Sequence, residues 1–127
     1  MGIWGYEPWG NDKAADFFGD LFEHCNLREL VMSKLKSDVT GSNHEAIRAA
    51  ALILIFLGRN YVWPIRSLKA DIELAIARLI ELLEDPDIKG NIEYEEPIRH
   101  EIEILKARND KSHSINEATR RYWETLI

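Results

Sequence analysis

Three sets of side chains have the types and spacing for chemistry. Asp12, Asp16 and Asp20 recur every four residues, which on a helix stacks three carboxylates along one face. Such a face suits a divalent cation or a row of basic side chains. It is also the ordinary wet side of an amphipathic helix, where early acids favour the helix dipole. Glu96, His100 and Glu103 fall at i, i+4 and i+7 and again share a face. They offer a metal two carboxylates and an imidazole, but the pattern is neither His-Glu-x-x-His nor Glu-x-x-His. Pairing of a histidine with acids on a solvated face is the simpler account. His24 and Cys25 are sequence neighbours, about 100° apart on a helix, so they cannot face one another there. Cys25 is expected to be a buried, inert thiol.

The densest feature is a run of carboxylates. Glu84, Asp85, Asp87, Glu93, Glu95, Glu96, Glu101 and Glu103 are opposed only by Lys89 and Arg99. Mutual repulsion makes such a run a poor contributor to folding and a good solvated or partner-facing surface. Asp87, Glu93, Glu95, Glu96 and Glu101 are therefore the candidate partner-binding residues, with Tyr94 as an apolar anchor among them. Trp9, Trp63 and Trp123 have the chemistry of interface anchors too, but core or covering roles are the stronger expectation for them.

Charge and composition narrow the function classes. The net charge is −6, and residues 71–104 carry eleven acidic against three basic side chains. Nucleic acid and anionic membrane both want a basic face, so neither is an expected partner. A basic protein is, with electrostatically steered association. One cysteine excludes an intrachain disulfide and fits a reducing cytoplasm. The N-terminus lacks a basic stretch followed by an apolar run, so no signal peptide is expected. The longest apolar run, Ala49 to Leu57, is about half of the roughly 20 residues a membrane span needs. The glycines form no phosphate loop, no Gly-x-Ser-x-Gly elbow occurs, and each serine sits in a cap or linker context. His44 and His113 lie beside helix starts and read as surface residues. No cofactor, metal or catalytic residue is expected.

The elements that must position these residues are helices. Asn11 or Asp12 can cap a first helix to about residue 24, with Phe17, Phe18, Leu21, Phe22 and Cys25 as its buried face. Asn26 can cap a second, with Leu27, Leu30, Val31 and Leu35 inward; one continuous helix is the alternative. Thr40-Gly41 breaks the run. Ser42 to Glu45 forms a capping box for a helix ending at Gly58. Its stretch Ala49–Leu57 has no polar face, which predicts an all-round buried central helix. Pro64 stands at or before the start of the next, about 65–84, with Leu68, Ile72, Ala75, Ile76, Leu79, Ile80 and Leu83 on one side. Residues 87–97 read as an acidic loop turning at Gly90-Asn91, with room for a short strand at 92–94. Pro97 starts a helix that faces Ile98, Ile102 and Leu105 inward. Ser114 to Glu117 is a second capping box, opening a helix packed through Ala118, Tyr122, Trp123 and Leu126. At 127 residues the expectation is one compact all-α domain of about six helices.

The opening residues carry more. Gly2, Gly5 and Gly10 are interleaved with Trp4, Tyr6, Pro8 and Trp9, a pattern expected of a fixed plug whose rings cover apolar surface. With Asn11, Asp12, Ala14 and Asp16 the stretch reads Gly-x-Trp-Gly-x-x-Pro-x-x-Asn-Asp-x-Ala-x-Asp. It resembles the opening motif of a bacterial family known as domain of unknown function 4259. The Ala-rich helix Glu45–Leu57 with Gly58-Arg59 resembles that family's second block, and the likeness covers about two-thirds of the chain. It implies an all-helical fold and no established activity.

The expectation for function is a cytoplasmic, non-catalytic protein-binding domain: an immunity-type protein that neutralises a basic, nuclease-like toxin domain through its acidic surface. A nuclease must attract phosphate, so its blocker presents carboxylates instead. Two alternatives belong to other classes. One is a small metal-dependent or ligand-binding enzyme built on the Asp12/Asp16/Asp20 face or on Glu96, His100 and Glu103. The other is a structural or oligomerisation module, marked by exposed apolar residues on the last helix.

Overall fold

A computed structural model describes residues 8–39, 43–110 and 114–126. These residues form six helices, α1 (Asp12–His24), α2 (Leu27–Leu35), α3 (Asn43–Leu57), α4 (Ile65–Leu82), α5 (Ile92–Asn109) and α6 (Glu117–Leu126). The fold is all-α and compact, as the apolar periodicity predicts. Residues 2–6 of the expected plug, the Thr40-Gly41 break, Ser42 of the first capping box and His113 lie outside the described residues.

Local chemistry sets the helix ends. Asn11 is extended, and its side-chain oxygen accepts from Ala14 N at 2.8 Å, satisfying one orphan donor of α1. Extended Cys25 then separates α1 from α2, so the two are distinct helices. Gly58 closes α3, its N–H donating to Leu54 O at 2.8 Å. A Cβ there would stand 2.4 Å from that same carbonyl oxygen, so only glycine fits. Pro64 precedes α4, as expected.

The core lies where α3, α4 and α5 meet, with α2 across α3 and α4. Leu54, Ile55, Ile72, Ala75, Leu79, Ile98 and Leu105 are almost fully buried there. At about 25 cal/mol per Å² of apolar surface, a buried Leu or Ile contributes roughly 1.5–3 kcal/mol. Helix α3 is central but not buried all round: Ala49 is exposed, and Leu52, Ile53 and Phe56 are only partly covered. Val31 and Leu35 of α2 point inward as expected, whereas Leu30 is 62% exposed. On α4, Ile80 is likewise exposed.

Several expectations are corrected. Helix α1 has no buried residue: it packs on α2 and, through Phe22, edge-on against Trp63, leaving Phe17 exposed. Cys25 is exposed rather than buried, because it is the extended residue at the α1–α2 corner, where no neighbouring helix covers it. Residues 92–94 are helical, not strand, and α5 starts five residues before Pro97. Asn91 caps it, accepting from Glu93 N at 3.1 Å, and Glu93 and Glu95 lie in the positively polarised first turn. Pro97 removes one N–H near the helix start, where the cap and the acids offset the loss. For α6 the capping residue is Asn116, whose Oδ1 accepts from Thr119 N at 2.8 Å, in place of the Ser114 box. Ala118 is exposed; buried Thr119 and half-buried Tyr122 and Trp123 dock α6 instead.

Candidate functional site

The charged residues of α5 fall into two groups, those that lock helices together and those that face outward. Glu101 belongs to the first. It is 4% exposed, and its carboxylate is gripped by Arg48 of α3 in a two-pronged fork, Nε–Oε1 2.8 Å and Nη2–Oε2 2.6 Å. The Tyr122 hydroxyl donates to the same carboxylate, and Arg48 Nη2 reaches that hydroxyl at 3.4 Å. Burial and the bond to Glu101 push the Tyr122 phenol up to about 12. The Glu101 hydrogen bond holds the Arg48 guanidinium well above its usual range. Three helices are thus stitched at one point. Glu101 is corrected as a surface contact: a carboxylate this enclosed cannot reach a partner.

A second polar clamp lies beside it. Thr119 is fully buried, and its hydroxyl donates to Glu103 Oε2 at 2.6 Å. His100 Nδ1 lies 2.8 Å from the Thr119 hydroxyl oxygen, and since that hydroxyl has spent its one hydrogen on Glu103, Nδ1 is the donor. Asn116 also donates to Glu103, and the His100 ring stacks on Tyr122. His100 and Glu103 therefore share a helical face, as their spacing predicts, but they serve α6. Exposed Glu96 does not join them.

The rest of the acidic run is partly consumed in the same way. Asp85 is buried and accepts from Asp87 N at 2.8 Å, and Lys89 pairs with Glu84. Glu95 accepts from Gly90 N and pairs with Arg99, and these bonds, the Gly90 one foremost, lower its carboxyl pKa. What faces outward is Asp87, Glu93 and Glu96, with Tyr94 at 37% exposure and Ile92 at 68%. The Tyr94 ring meets His44 of α3 edge-on at 6.3 Å. His44 itself is buried, which corrects its reading as a surface residue. A cleft of about 400 Å³ opens there between α3, α5 and α6, with Tyr94 and His44 at its rim side and Arg48, Glu101 and Tyr122 along it. One corner of the molecule thus presents three carboxylates, two apolar side chains and a concave surface.

The first-helix carboxylates share one face of α1, as their spacing predicts, but do not close into one ligand group. Among the described residues, the one group of three potential metal ligands is Asp20, Glu23 and His24, all exposed, with ligand atoms within 4.8 Å. It draws on Asp20 alone of the three aspartates. The tryptophans take structural places: Trp63 is buried and donates to Asp71 at 2.8 Å, Trp9 lies under the Arg59 guanidinium, and Trp123 packs against Phe56.

Two charged groups escaped the sequence reading. Asp71 of α4 is 4% exposed and receives the Arg28 fork at 2.7 and 2.9 Å besides the Trp63 indole. Burial pushes its carboxyl up, but those hydrogen bonds prevail and hold it below the usual range. Its position on the inward face beside Leu68, Ile72 and Ala75 was the available signal. The other group is the pair Arg59 and Arg108, which no local pattern marks. No helix among the described residues is long and apolar enough to cross a membrane.

Fold and site together define an all-helical domain whose buried ion pairs and polar clamps fasten helices to one another. The chain belongs to the family Domain of unknown function (DUF4259), which it matches over residues 2–124. Comparisons with curated proteins and with solved structures found no match.

Proposed function

We propose that this is a cytoplasmic, non-catalytic protein-binding domain of the immunity type, which neutralises a basic toxin domain through the corner formed by Asp87, Glu93, Tyr94 and Glu96. The observation that carries this reading is that these three carboxylates are exposed while most of their acidic neighbours are spent on internal bonds. A carboxylate without an internal partner adds little to folding and keeps its full charge for steering a cationic surface. Tyr94 and Ile92 add apolar area of the kind that anchors interfaces. Glu95 and Glu101, expected as contacts from sequence, are left out of the site because their oxygens are already engaged.

The test is affinity capture from the native host with the wild-type chain and with the triple variant Asp87→Lys, Glu93→Lys and Glu96→Lys. One basic protein should be retained by the wild type, released as salt rises, and lost from a variant whose circular dichroism is unchanged. Retention of the same protein by both chains would remove this corner from the interface. Stoichiometric metal in the purified protein would instead favour an enzyme reading.

A further inference from the structure

A second site of opposite charge lies at the other end of α5. Arg59 follows the C-terminus of α3, and Arg108 stands in the last turn of α5. Both line a cleft of about 300 Å³ whose remaining walls are Ile104, Ala107, Ile115 and Trp123. Among the described residues, no carboxylate lines it. The Arg59 guanidinium lies over the Trp9 ring at 3.9 Å and that of Arg108 over Trp123 at 5.4 Å, so aromatic faces hold both cations.

The two cations are poorly compensated. Among the described residues, Arg108 has one hydrogen bond, from Nη2 to Ile55 O at 2.6 Å, and Arg59 Nε is buried without a partner. The other buried or half-buried arginines are unlike them. Arg28 and Arg48 each grip a carboxylate in a fork, and Arg78 bonds Glu81 and the carbonyls that end α2. Burial lowers the pKa of Arg59, and burial together with the charge of Arg59 brings Arg108 down to about 10. Two like charges held close, desolvated and short of acceptors are costly to the fold. A bound oxyanion relieves that cost, because it accepts from both planar forks at once.

We propose that Arg59 and Arg108, between Trp9 and Trp123, form a binding site for the phosphate group of a small phosphorylated molecule. The cleft is at the small end of ligand-site volumes, which fits a monoester. The chain's charge of −6 repels an extended polyanion far more than a single phosphate group, which favours a small phosphorylated molecule over nucleic acid. Along α5 this site lies some 20 Å from Glu95, at about 1.5 Å per residue, so it stands apart from the acidic corner. It does not depend on the protein-binding reading.

The experiment is titration of the full chain with inorganic phosphate, followed by the NMR signals of the arginine Nε–H groups and the Trp123 indole N–H. Sodium chloride at matched ionic strength is the reference. Saturable shifts are expected with phosphate and not with chloride. Arg59→Gln and Arg108→Gln should each weaken binding about tenfold or more, the loss expected for a charge-assisted hydrogen bond. Arg59→Gln should also melt no lower than the wild type without phosphate, since it removes a like-charge contact, and should lose the thermal stabilisation that phosphate gives the wild type. Equal shifts with chloride, or unchanged affinity in both variants, would overturn the proposal. So would a lower melting temperature of Arg59→Gln with phosphate still stabilising it, which marks the arginine as structural. Arg59→Lys, which keeps the charge and loses the fork, should bind with intermediate affinity.

Discussion

Removing the Glu101 carboxylate should be among the most damaging single changes of charge in this protein. In Glu101→Gln the Arg48 fork loses its charged partner, and the one amide oxygen that remains cannot serve Arg48 Nε, Arg48 Nη2 and the Tyr122 hydroxyl as two carboxylate oxygens do. Breaking one partner out of a buried ion pair costs about 3–5 kcal/mol. The Arg48 side chain retains 29% exposure, so water re-solvates part of it and the low end, about 3 kcal/mol, applies. With a urea slope near 1.5 kcal/mol per molar, the unfolding midpoint should fall by about 2 M. Glu101→Leu with Arg48→Met takes out both charges together and should cost less than the two single changes added, by about 1.5 kcal/mol or more. The phenol supplies an independent check. Its folded value, about 12, lies above the unfolded one, so its stabilisation is full below about pH 10 and is lost as pH rises toward 12. Two units correspond to about 2.7 kcal/mol, but the half-exposed ring is screened and about 1 kcal/mol is expected. Tyr122→Phe should remove that alkaline loss. A Glu101→Gln cost under about 0.5 kcal/mol, or strict additivity in the cycle, would refute the view that this point fastens α3, α5 and α6.

Gly58→Ala places a methyl 2.4 Å from Leu54 O, and thermal melting should show a loss of about 2 kcal/mol or more. Thr119→Val keeps the shape of a fully buried side chain but deletes its bonds to His100 and Glu103. It should cost about 1–2 kcal/mol and speed hydrogen exchange in α6 ahead of the other helices. The Asp71 carboxyl is held below its usual range, so its contribution is present above about pH 4 and lost as pH falls through the folded value. Asp71→Asn should therefore lower stability at pH 7 by about 2–3 kcal/mol and flatten the acid limb of a stability–pH curve. An unchanged acid limb would show that the Arg28 and Trp63 bonds contribute nothing net.

The chain's local patterns determined the helices. Asn11, Gly58 and Pro64 act within one turn of themselves, and a helical stripe is readable from spacing alone, so the number of helices and most ends follow from sequence. Family membership was legible for a similar reason, since the opening motif is a run of fixed residue types. The start of α5 was misread because Pro97 is a strong local signal, whereas the Asn91 cap and first-turn acids gain their effect only once the helix exists. Burial was not local either. Phe17 and Cys25 fit a stripe, but α1 meets little of the body, and apolar spacing says nothing of whether a partner surface arrives. The acidic run shows the limit most clearly. Eight carboxylates look alike in sequence, yet which are spent and which stay free depended on Arg48, 53 positions away, and on Thr119 and Asn116 of another helix. The same holds for Arg28 on Asp71 across 43 positions, and for Arg59 brought against Arg108. Helix formation is decided by neighbours three and four residues apart, and charge pairing by the docking of finished helices. Only the tertiary structure could separate the carboxylates that hold the fold from those left to meet a partner.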